Sequence, residues 1–408
     1  MKKYFRKSCV ALILLSFLGA CSGSDETPID QSQNEIPQLK EQVVSNYVNL
    51  VSASYEDTLQ KAIQLEEAIN IFVSEPSEDN FNAAKSAWRN SREPYGQTEA
   101  YRFYDGPIDA PNEGPESQIN SWPLDEATID YVQDKENAGI INDLNIEITA
   151  ESLVELNTQL DEAAVTTGYH AIEFLLWGQD HNENPQDAGL RPYTDYISGG
   201  EGTAANQERR GVYLNTVANV LVSDLEYVNN AWSSEIQNNY RQNFLKLNVD
   251  EALRRIIVGI GSLSRSELSG ERMEVALLKQ DQEDEHSCFS DNTHRDILNN
   301  FRGIQNVYLG EYQKSDGTWI EGKGLQDLFQ ISAAELNSKM LEELQKAEDA
   351  IHLIDQKAKN GMAFDQQIID VDSRENIQKA IDALVAFGDL LPDAAVTLGI
   401  NLNSVETE

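Results

Sequence analysis

The sequence predicts an all-α protein in which antiparallel helical bundles bury long apolar stripes. Apolar residues recur at three- and four-residue steps over much of the chain, which is the spacing of one buried helix face. No segment alternates apolar and polar residues with a period of two, so a β-sheet is not expected. A length of 408 residues is sufficient for two or three domains, and bundles are the usual way to bury such stripes.

The amino-terminal residues predict export and lipidation. In residues 1–20, four basic residues precede an apolar run that is too short to span a bilayer, which is the order of a secretory signal peptide. The run ends in Leu18-Gly19-Ala20-Cys21, which resembles the lipobox of bacterial lipoproteins, so Cys21 is predicted to become the lipidated first residue. The alternative is an ordinary signal with a chance cysteine. Residues 21–37 are polar and predict a flexible tether.

Helices follow from apolar periodicity and from capping residues. They are predicted at 44–69, from Ser77 to a bend or end at Pro94, at 149–178, 213–232 and 253–263, from a capping box at Ser332–Glu335 onwards, and from 372 to a stop near Pro392. Two stretches, 105–123 and 181–206, are too long to be simple connections and are candidates for functional loops. A boundary in the second divides the chain into domains at 38–200 and 201–408.

Composition favours cations as partners and disfavours nucleic acid. The chain has 31 basic and 69 acidic residues, a formal charge of −38, which becomes −42 once the four bases of the signal peptide are removed. Such a charge repels nucleic acid and anionic lipid and attracts cations, although a need for solubility also accounts for it. Cys9 is predicted to be removed and Cys21 to be lipidated, so Cys288 has no partner for an internal disulfide.

The segment TTGYHAIEFLLWGQD, residues 166–180, places two polar side chains in the most apolar predicted helix. His170 and Glu173 are three residues apart and share one helix face, where an imidazole and a carboxylate suit a metal ion, or a general base with its partner. An internal hydrogen bond is the simpler alternative. Gly168, inside the same predicted helix, costs about 1 kcal/mol relative to alanine and would permit a close approach of backbone or ligand.

The same segment argues against a familiar zinc peptidase. HExxH and HxxEH both require a second histidine, and Phe174 occupies the place where the inverted motif needs it. A catalytic zinc normally takes three protein ligands, so the others would have to come from distant residues. An enzyme is therefore not the first expectation.

Two further stretches concentrate reactive side chains. Residues 87–109 mix arginines, acids and aromatic residues, which suit either a buried ion-pair network or the binding of an anionic ligand. Residues 280–297 carry two of the five histidines among many acids. They lack the central glycine of a calcium-binding loop, and a charged surface turn would also explain them.

Three blocks in order give the chain a resemblance to the imelysin family, in its branch similar to bacterial iron-regulated protein A. They are GYHAIEFLLWGQD (168–180), which matches the family's G-x-H-x-x-E signature, SREPYGQTEAYRFYDGPID (91–109) and HSCFSDNTHRDILNNFRGIQNVYLGEY (286–312). The resemblance implies two helical bundle domains packed together, with the functional site in a cleft between them. It also implies a role in iron acquisition, for a lipoprotein of the bacterial cell envelope on the periplasmic face or the surface of the outer membrane.

The resemblance also carries individual residues onto this chain. The signature positions are Gly168, His170 and Glu173. The other matching positions are Arg92, Tyr95, Glu99, Arg102, Asp105, Pro107, Asp109, Asp291, Asn292 and His294.

Three functions are open on these grounds. In the first, His170, Glu173 and Glu99, with His294 as a further candidate, hold iron, another divalent metal such as zinc, or an iron-containing ligand. The second is an imelysin-type metallopeptidase that uses His170 and Glu173, and the third is a scaffold that binds a partner or an organic ligand without metal. Iron-uptake proteins of the envelope are the expected partners, and the lipid is the expected membrane contact. The metal and peptidase hypotheses place His170 and Glu173 in a water-reachable crevice.

Overall fold

The computed structural model describes residues 32–111, 113–181 and 188–402 and has the predicted all-α architecture. Its helices are α1 Ser32–Ser74, α2 Glu78–Thr98, α3 Glu116–Asn120, α4 Ala150–Leu156, α5 Gly168–Trp177, α6 Gln207–Trp232, α7 Tyr240–Phe244, α8 Val249–Ser262, α9 Val275–Lys279, α10 Thr293–Leu309, α11 Leu325–Ser332, α12 Ala334–Lys359, α13 Phe364–Gln367 and α14 Val371–Thr397. A π-helical segment, Leu263–Glu274, joins α8 to α9. Two short antiparallel strands, β1 Glu311–Gln313 and β2 Trp319–Glu321, form a hairpin with Tyr312 opposite Ile320.

The long helices pack as neighbours through their apolar stripes. α1 lies against α2 and α6, α12 lies against α14, and α10 lies between α2 and α12. The stripe of α1 puts Val44, Val48 and Val51 into the core, each at most 6 % exposed. Burial of such side chains contributes about 1.5–3 kcal/mol each, so packing rather than helix propensity holds these helices in place.

One connected hydrophobic core extends from Leu39 to Ile400. It therefore includes side chains from both predicted domains, and the division near residue 200 stays a prediction. Among the described residues, no helix combines the length and the apolar character that are needed to cross a membrane. The predicted signal peptide, Cys21 and residues 21–31 of the predicted tether lie outside the described residues. α1 begins at Ser32, so the remaining residues of the predicted tether are helical.

Both prolines that were predicted to interrupt a helix lie inside one. α2 continues past Pro94 to Thr98, and α14 continues past Pro392 to Thr397. A proline removes one backbone hydrogen bond from a helix. Buried neighbours offset that loss here, since Tyr95 is fully buried beyond the first proline and Ala394 is fully buried beyond the second. The predicted stop near Pro392 is therefore wrong, and of the two outcomes predicted at Pro94, a bend or an end, the end is wrong.

The helix predicted at 149–178 is two helices, α4 and α5, joined by an irregular segment. Asn157 ends α4, and its side chain accepts a hydrogen bond from the Thr166 backbone N–H at 2.9 Å and donates one to the Ser117 carbonyl at 2.7 Å. Thr158 has a positive φ of 56°, which a continuing helix does not contain. The side chain of Asn157 thus competes with the helix for backbone groups.

The predicted capping box at Ser332 is also wrong. Ser332 is the last residue of α11, and its hydroxyl donates to the carbonyl of Leu328 at 3.1 Å. α12 begins one residue later than the box requires, after Ala333, which provides no side-chain cap. The hydroxyl is engaged with the preceding helix and is not available to the next one.

Candidate functional site

α5 is a helix with no exposed face, and its first residue explains how it is positioned. All ten residues of α5, Gly168 to Trp177, are buried. Gly168 has a φ of 85°, and a side chain there would collide with the backbone carbonyls of Gln118 and Ile119. The glycine is therefore at the start of the helix, not inside it as predicted, and it lets α5 approach the end of α3.

His170 and Glu173 are bonded to each other and to a distant part of the chain. His170 Nδ1 lies 2.9 Å from Glu173 Oε2. The other carboxyl oxygen, Oε1, accepts hydrogen bonds from the Ser290 backbone N–H at 3.0 Å and from the Ser290 hydroxyl at 2.6 Å. The side chains of His170 and Glu173 are 1 % and 0 % exposed, so the expected water-reachable crevice around them is wrong.

Because they are buried, His170 and Glu173 are both neutral, and the contact between them is a hydrogen bond and not an ion pair. Loss of solvation raises the pKa of Glu173 to about 8 and lowers the pKa of His170 well below its ordinary value. At neutral pH the carboxylic acid is therefore protonated and the imidazole is not. The Glu173 hydroxyl then donates to His170 Nδ1, which leaves the imidazole proton on Nε2. Nε2 is buried and has no hydrogen-bond partner among the described residues.

A second buried imidazole lies beside the first. The rings of His170 and His286 meet edge to face with centroids 4.6 Å apart. Burial, followed by the nearby Arg272 cation, lowers the pKa of His286 to about 3, so its neutral ring donates from Nδ1 to Asp296 Oδ2 at 3.0 Å. Asp296 in turn forms a buried ion pair with Arg92, at 3.1 Å between Nη2 and Oδ1. The attraction of this cation keeps the pKa of Asp296 well below its ordinary value despite burial.

Arg92 connects this group to α3 and to the aromatic core. Its Nη1 donates to Asn120 Oδ1 at 2.6 Å, and its guanidinium lies over the ring of Tyr169, 4.9 Å from the centroid. Tyr95, another predicted site residue, is fully buried and packs against Tyr169 with ring centroids 4.9 Å apart. These contacts make Arg92 and Tyr95 part of the packed interior.

Glu99 and Arg102 belong to a neighbouring buried ion-pair network. Glu99 Oε2 accepts from Arg102 Nη1 at 2.6 Å and from Arg272 Nη2 at 2.8 Å, and Arg102 also pairs with Glu116 at 3.0 Å. Arg272 comes from the π-helical segment, an uncommon geometry that is often found at functional positions. Desolvation would raise the pKa of Glu99, but the two arginines outweigh it and lower the pKa.

The other predicted site residues lie outside these buried groups. Asp105 is exposed, whereas Asp109 closes its own loop by accepting from the backbone N–H groups of Phe103 and Gly106. Asn292 is the residue before α10. His294 Nδ1 is bonded to the Asp291 carbonyl at 2.9 Å, and its Nε2 lies 3.9 Å from Asp355.

The four predicted metal ligands do not converge on one centre. Among residues 32–111, 113–181 and 188–402, no group of three or more His, Cys, Asp or Glu side chains is arranged to hold a metal ion. The protein itself occupies the oxygen atoms of Glu173, through His170 and Ser290, and Glu99 Oε2, through two arginines. The described side chains therefore do not fit a bare ion held by His170, Glu173, Glu99 and His294.

An open cleft lies directly beside the buried pair. Its volume is about 710 Å³, within the range of small-molecule sites. Trp177, the last residue of α5, and Ser290, the residue bonded to Glu173, both line it. The remaining lining residues come from α2, from 188–190, from the start of α10 and from the end of α12, so both halves of the chain contribute.

Several residues of these sites were not predicted from the sequence. They are Ser290, Arg272, Asn120, Trp177 and Lys85. Their partners are distant in sequence, since Ser290 and Glu173 are 117 residues apart and Arg272 and Glu99 are 173 apart. No local spacing signals such contacts. Trp177 alone was marked by its position, because it ends the same apolar segment that carries the motif.

The described residues thus form a helical fold with an open cleft beside a buried polar interior. The chain belongs to the imelysin family, whose model matches residues 51–391. It is 25 % identical over 335 residues to iron-regulated protein A of Synechococcus elongatus, which covers 80 % of this chain and 79 % of that protein.

Solved structures have the same fold. A crystal structure from Parabacteroides distasonis that carries the name iron-regulated protein A precursor superposes with a TM-score of 0.67 at 20 % identity, over 88 % of this chain and 95 % of that one. An imelysin-like protein from Psychrobacter arcticum gives a TM-score of 0.58 at 14 % identity, over 90 % and 97 % of the two chains. The predicted family resemblance and fold class are thereby confirmed.

Proposed function

We propose that this chain is a binding protein of bacterial iron handling, which takes an iron-containing ligand in the cleft beside α5. One observation carries the proposal: Ser290 bonds to Glu173 on one side and lines the cleft on the other. The HxxE motif then shapes the cleft wall from inside and does not touch the ligand. The name of the Synechococcus relative supports the link to iron.

An iron complex suits the geometry better than a bare ion. Both oxygens of Glu173 and Oε2 of Glu99 are already engaged by protein groups, and the described residues offer no metal-binding cluster. The cleft, by contrast, has the volume of a small-molecule site and contains both polar and apolar lining residues. Iron would therefore enter as cargo that brings most of its own ligands with it.

The same geometry gives no support to a peptidase. A general base must come within hydrogen-bond reach of the water or the substrate that it activates. Glu173 is fully buried, and both of its oxygens are bonded to protein groups. A peptide in the cleft would meet Ser290 before it could meet His170 or Glu173.

We also propose a place for the protein in the cell. The basic and apolar order of residues 1–20 and the lipobox-like Leu18–Cys21 support attachment by lipid to the outer membrane. Iron-uptake proteins of the envelope are then the partners within reach. Metabolic labelling with a fatty acid, compared between the wild type and Cys21→Ala, tests the anchor, and an unlabelled wild type would refute it.

Calorimetric titration tests the binding function. Ferric citrate, haem, free Fe³⁺ and Zn²⁺ are titrated into the purified protein, and at least one iron complex is expected to bind at one equivalent. Ala358→Trp, which fills the cleft from α12, is expected to weaken that binding at least about tenfold, equivalent to about 1.4 kcal/mol.

The matched control is Gln356→Trp, an exposed position two residues earlier on α12 that does not line the cleft. Gln356→Trp is expected to bind the iron complex with wild-type affinity. Equal melting temperatures of the two variants would show that the weaker binding of Ala358→Trp does not come from a loss of folding. Absence of binding by every iron complex would overturn the proposal. So would equal affinity of Ala358→Trp and the wild type.

A further inference from the structure

Two basic side chains stand together on the cleft wall formed by α2. Lys85 and Arg89 are four residues apart, one helical turn, and both line the cleft. The Lys85 ammonium lies 5.1 Å from the centroid of the Trp177 ring, and the Arg89 guanidinium lies 4.9 Å from it. Arg89 is exposed and Lys85 is half-buried, so a ligand in the cleft can reach both.

Neither cation forms an ion pair with an acidic side chain within the described parts of the chain, although Asp291, which lines the same cleft, attracts Arg89 from a greater distance. The contacts of Lys85 are the rings of Phe81 and Trp177, and Arg89 adds one long hydrogen bond of 3.5 Å to the Ser290 carbonyl. Like charges one turn apart on a helix repel each other. Burial and then the repulsion from Arg89 and Arg191 lower the pKa of Lys85 to about 8. The cleft therefore holds two cations that no ion pair among the described residues neutralises and that Asp291 offsets only in part.

The other basic residues of the cleft are different. Arg295 forms two hydrogen bonds to Glu93, at 2.6 and 2.7 Å, and a third to Asp355 at 2.9 Å. Lys359 is paired with Asp355 at 2.7 Å. Their charges are balanced by ion pairs within the protein, so the cations of the cleft that remain outside an ion pair are Lys85 and Arg89. In a chain with a net charge of −38, two such cations side by side in a concave site are an informative exception.

We infer that Lys85 and Arg89 form a recognition site for a small polycarboxylate anion, and that the ligand of the cleft is the ferric complex of such an anion. This inference rests on the proposed function for the iron, whereas the anion follows from the cleft itself. Guanidinium and ammonium groups bind carboxylates through charge-assisted hydrogen bonds. Asn82 and Asn90 on the same wall supply further amide donors for carboxylate oxygens that the two cations leave free.

The cation–π contacts do not replace an anion. A cation over an aromatic ring gains about 0.5–1 kcal/mol at an exposed site, but the ring carries no net charge. Stacking on Trp177 accounts for the direction of the two side chains, toward the end of α5. It does not account for two like charges placed side by side. Stacking instead holds both groups in position before a ligand arrives, which reduces the entropy lost on binding.

The experiment measures binding of citrate and of ferric citrate to the purified protein by calorimetry. Lys85→Gln combined with Arg89→Gln is expected to weaken both at least about tenfold, because charge-assisted contacts are lost. The charge control is Lys339→Gln with Lys379→Gln, which removes the same charge from exposed ion pairs outside the cleft. This control is expected to leave the affinity unchanged.

A second variant does not remove the stacked side chains. Asn90→Glu adds a negative charge to the cleft wall at an exposed position, and Asn90→Gln is its neutral counterpart of equal size. Asn90→Glu is expected to weaken ferric citrate binding at least about fivefold relative to Asn90→Gln, since like charges in a cleft repel. Equal affinities within this pair would overturn the inference, whatever the stability of the double variant.

The outcomes separate this inference from the proposed function. Ferric citrate binding that does not respond to Lys85→Gln with Arg89→Gln overturns the anion site and leaves the iron role standing. Binding of iron-free citrate that depends on both residues, without binding of any iron complex, supports the anion site and overturns the iron role. Inorganic phosphate is the comparison anion, and its binding in preference to citrate overturns the assignment to carboxylates.

Discussion

Ser290 donates both its backbone N–H and its hydroxyl to one oxygen of Glu173, at 3.0 and 2.6 Å. The two residues are 117 positions apart, so this contact joins the centre of α5 to the turn before α10. Glu173 is fully buried, and Ser290, which is itself only 2 % exposed, lies in the wall of the cleft. The motif and the cleft are thus two sides of one hydrogen-bonded wall.

Glu173→Gln is expected to fold with nearly wild-type stability near pH 5 and to be more stable than the wild type at pH 7 and above, because only the wild-type carboxyl ionises on unfolding. A protonated Glu173 donates to His170 and accepts from Ser290, and a glutamine can do both. The raised pKa of about 8 means that the wild type gains stability from this group below the unfolded pKa near 4.5 and loses it as the pH rises through 8. Denaturant unfolding at pH 5, 7 and 9 should therefore show a smaller loss at high pH for the variant. A loss above about 3 kcal/mol at pH 7 would mean that Glu173 is ionised.

Asp296→Ala is expected to destabilise the protein by about 3–5 kcal/mol, because it leaves the buried guanidinium of Arg92 without its counter-charge. His286 loses its hydrogen-bond acceptor at the same time. Glu335→Ala, which breaks an exposed ion pair with Lys339, is the control and should change the free energy of unfolding by less than about 1 kcal/mol. Similar losses of unfolding free energy from the two variants would contradict a stabilising role for the buried ion pair between Arg92 and Asp296.

Gly168→Ala is expected to cost about 1–3 kcal/mol, because the residue has a positive φ and the new methyl group meets two backbone carbonyls. Gly200→Ala is the matched control, since Gly200 has open space around it and no positive φ. Thermal unfolding of both variants checks the difference. A neutral Gly168→Ala would show that α5 can shift without cost at its first residue.

Citrate binding is expected to take up protons near pH 8. Lys85 has a pKa of about 8, because burial and the repulsion from Arg89 and Arg191 disfavour its charged form. A bound anion favours the charged form and therefore raises this pKa. Asp291 also lines the cleft, and burial and neighbouring acids raise its pKa to about 7. A bound anion repels the charged carboxylate and favours its protonated form, which adds to the proton uptake. Affinity should therefore fall as the pH rises from 6 to 9. Calorimetry in two buffers of different ionisation enthalpy measures the uptake, and its absence in the wild type at pH 8 would contradict a titrating lysine in contact with the anion.

The sequence was sufficient for the fold class because apolar spacing reports which helix face is buried, and that information is local. It failed where tertiary contacts outweighed local rules. Pro94 and Pro392 stay inside helices because buried neighbours offset one lost hydrogen bond. Asn157 breaks a helix that the apolar pattern predicted to be continuous, because its side chain bonds to Thr166 and Ser117.

The candidate site was predictable only in part, for the same reason. The spacing of His170 and Glu173 placed them on one face and correctly allowed an internal hydrogen bond. It could not indicate that Ser290 would occupy the free carboxyl oxygen or that arginines would engage Glu99. Metal ligands and ion-pair partners have the same residue types, so composition cannot distinguish them. The distinction depends on which side chains the fold brings together.

The contrast between the acidic chain and the two cleft cations that form no ion pair has a kinetic consequence. A polycarboxylate that approaches from bulk solvent first meets the repulsive field of the whole molecule, and it meets the attraction of Lys85 and Arg89 only within the last few ångströms. At about 0.15 M ionic strength the Debye length is about 8 Å, so added salt screens the distant field more than the contact. Encounter should therefore become faster as salt rises, the opposite of electrostatic steering, and the cleft would gain its cargo more readily in a salty medium than in a dilute one.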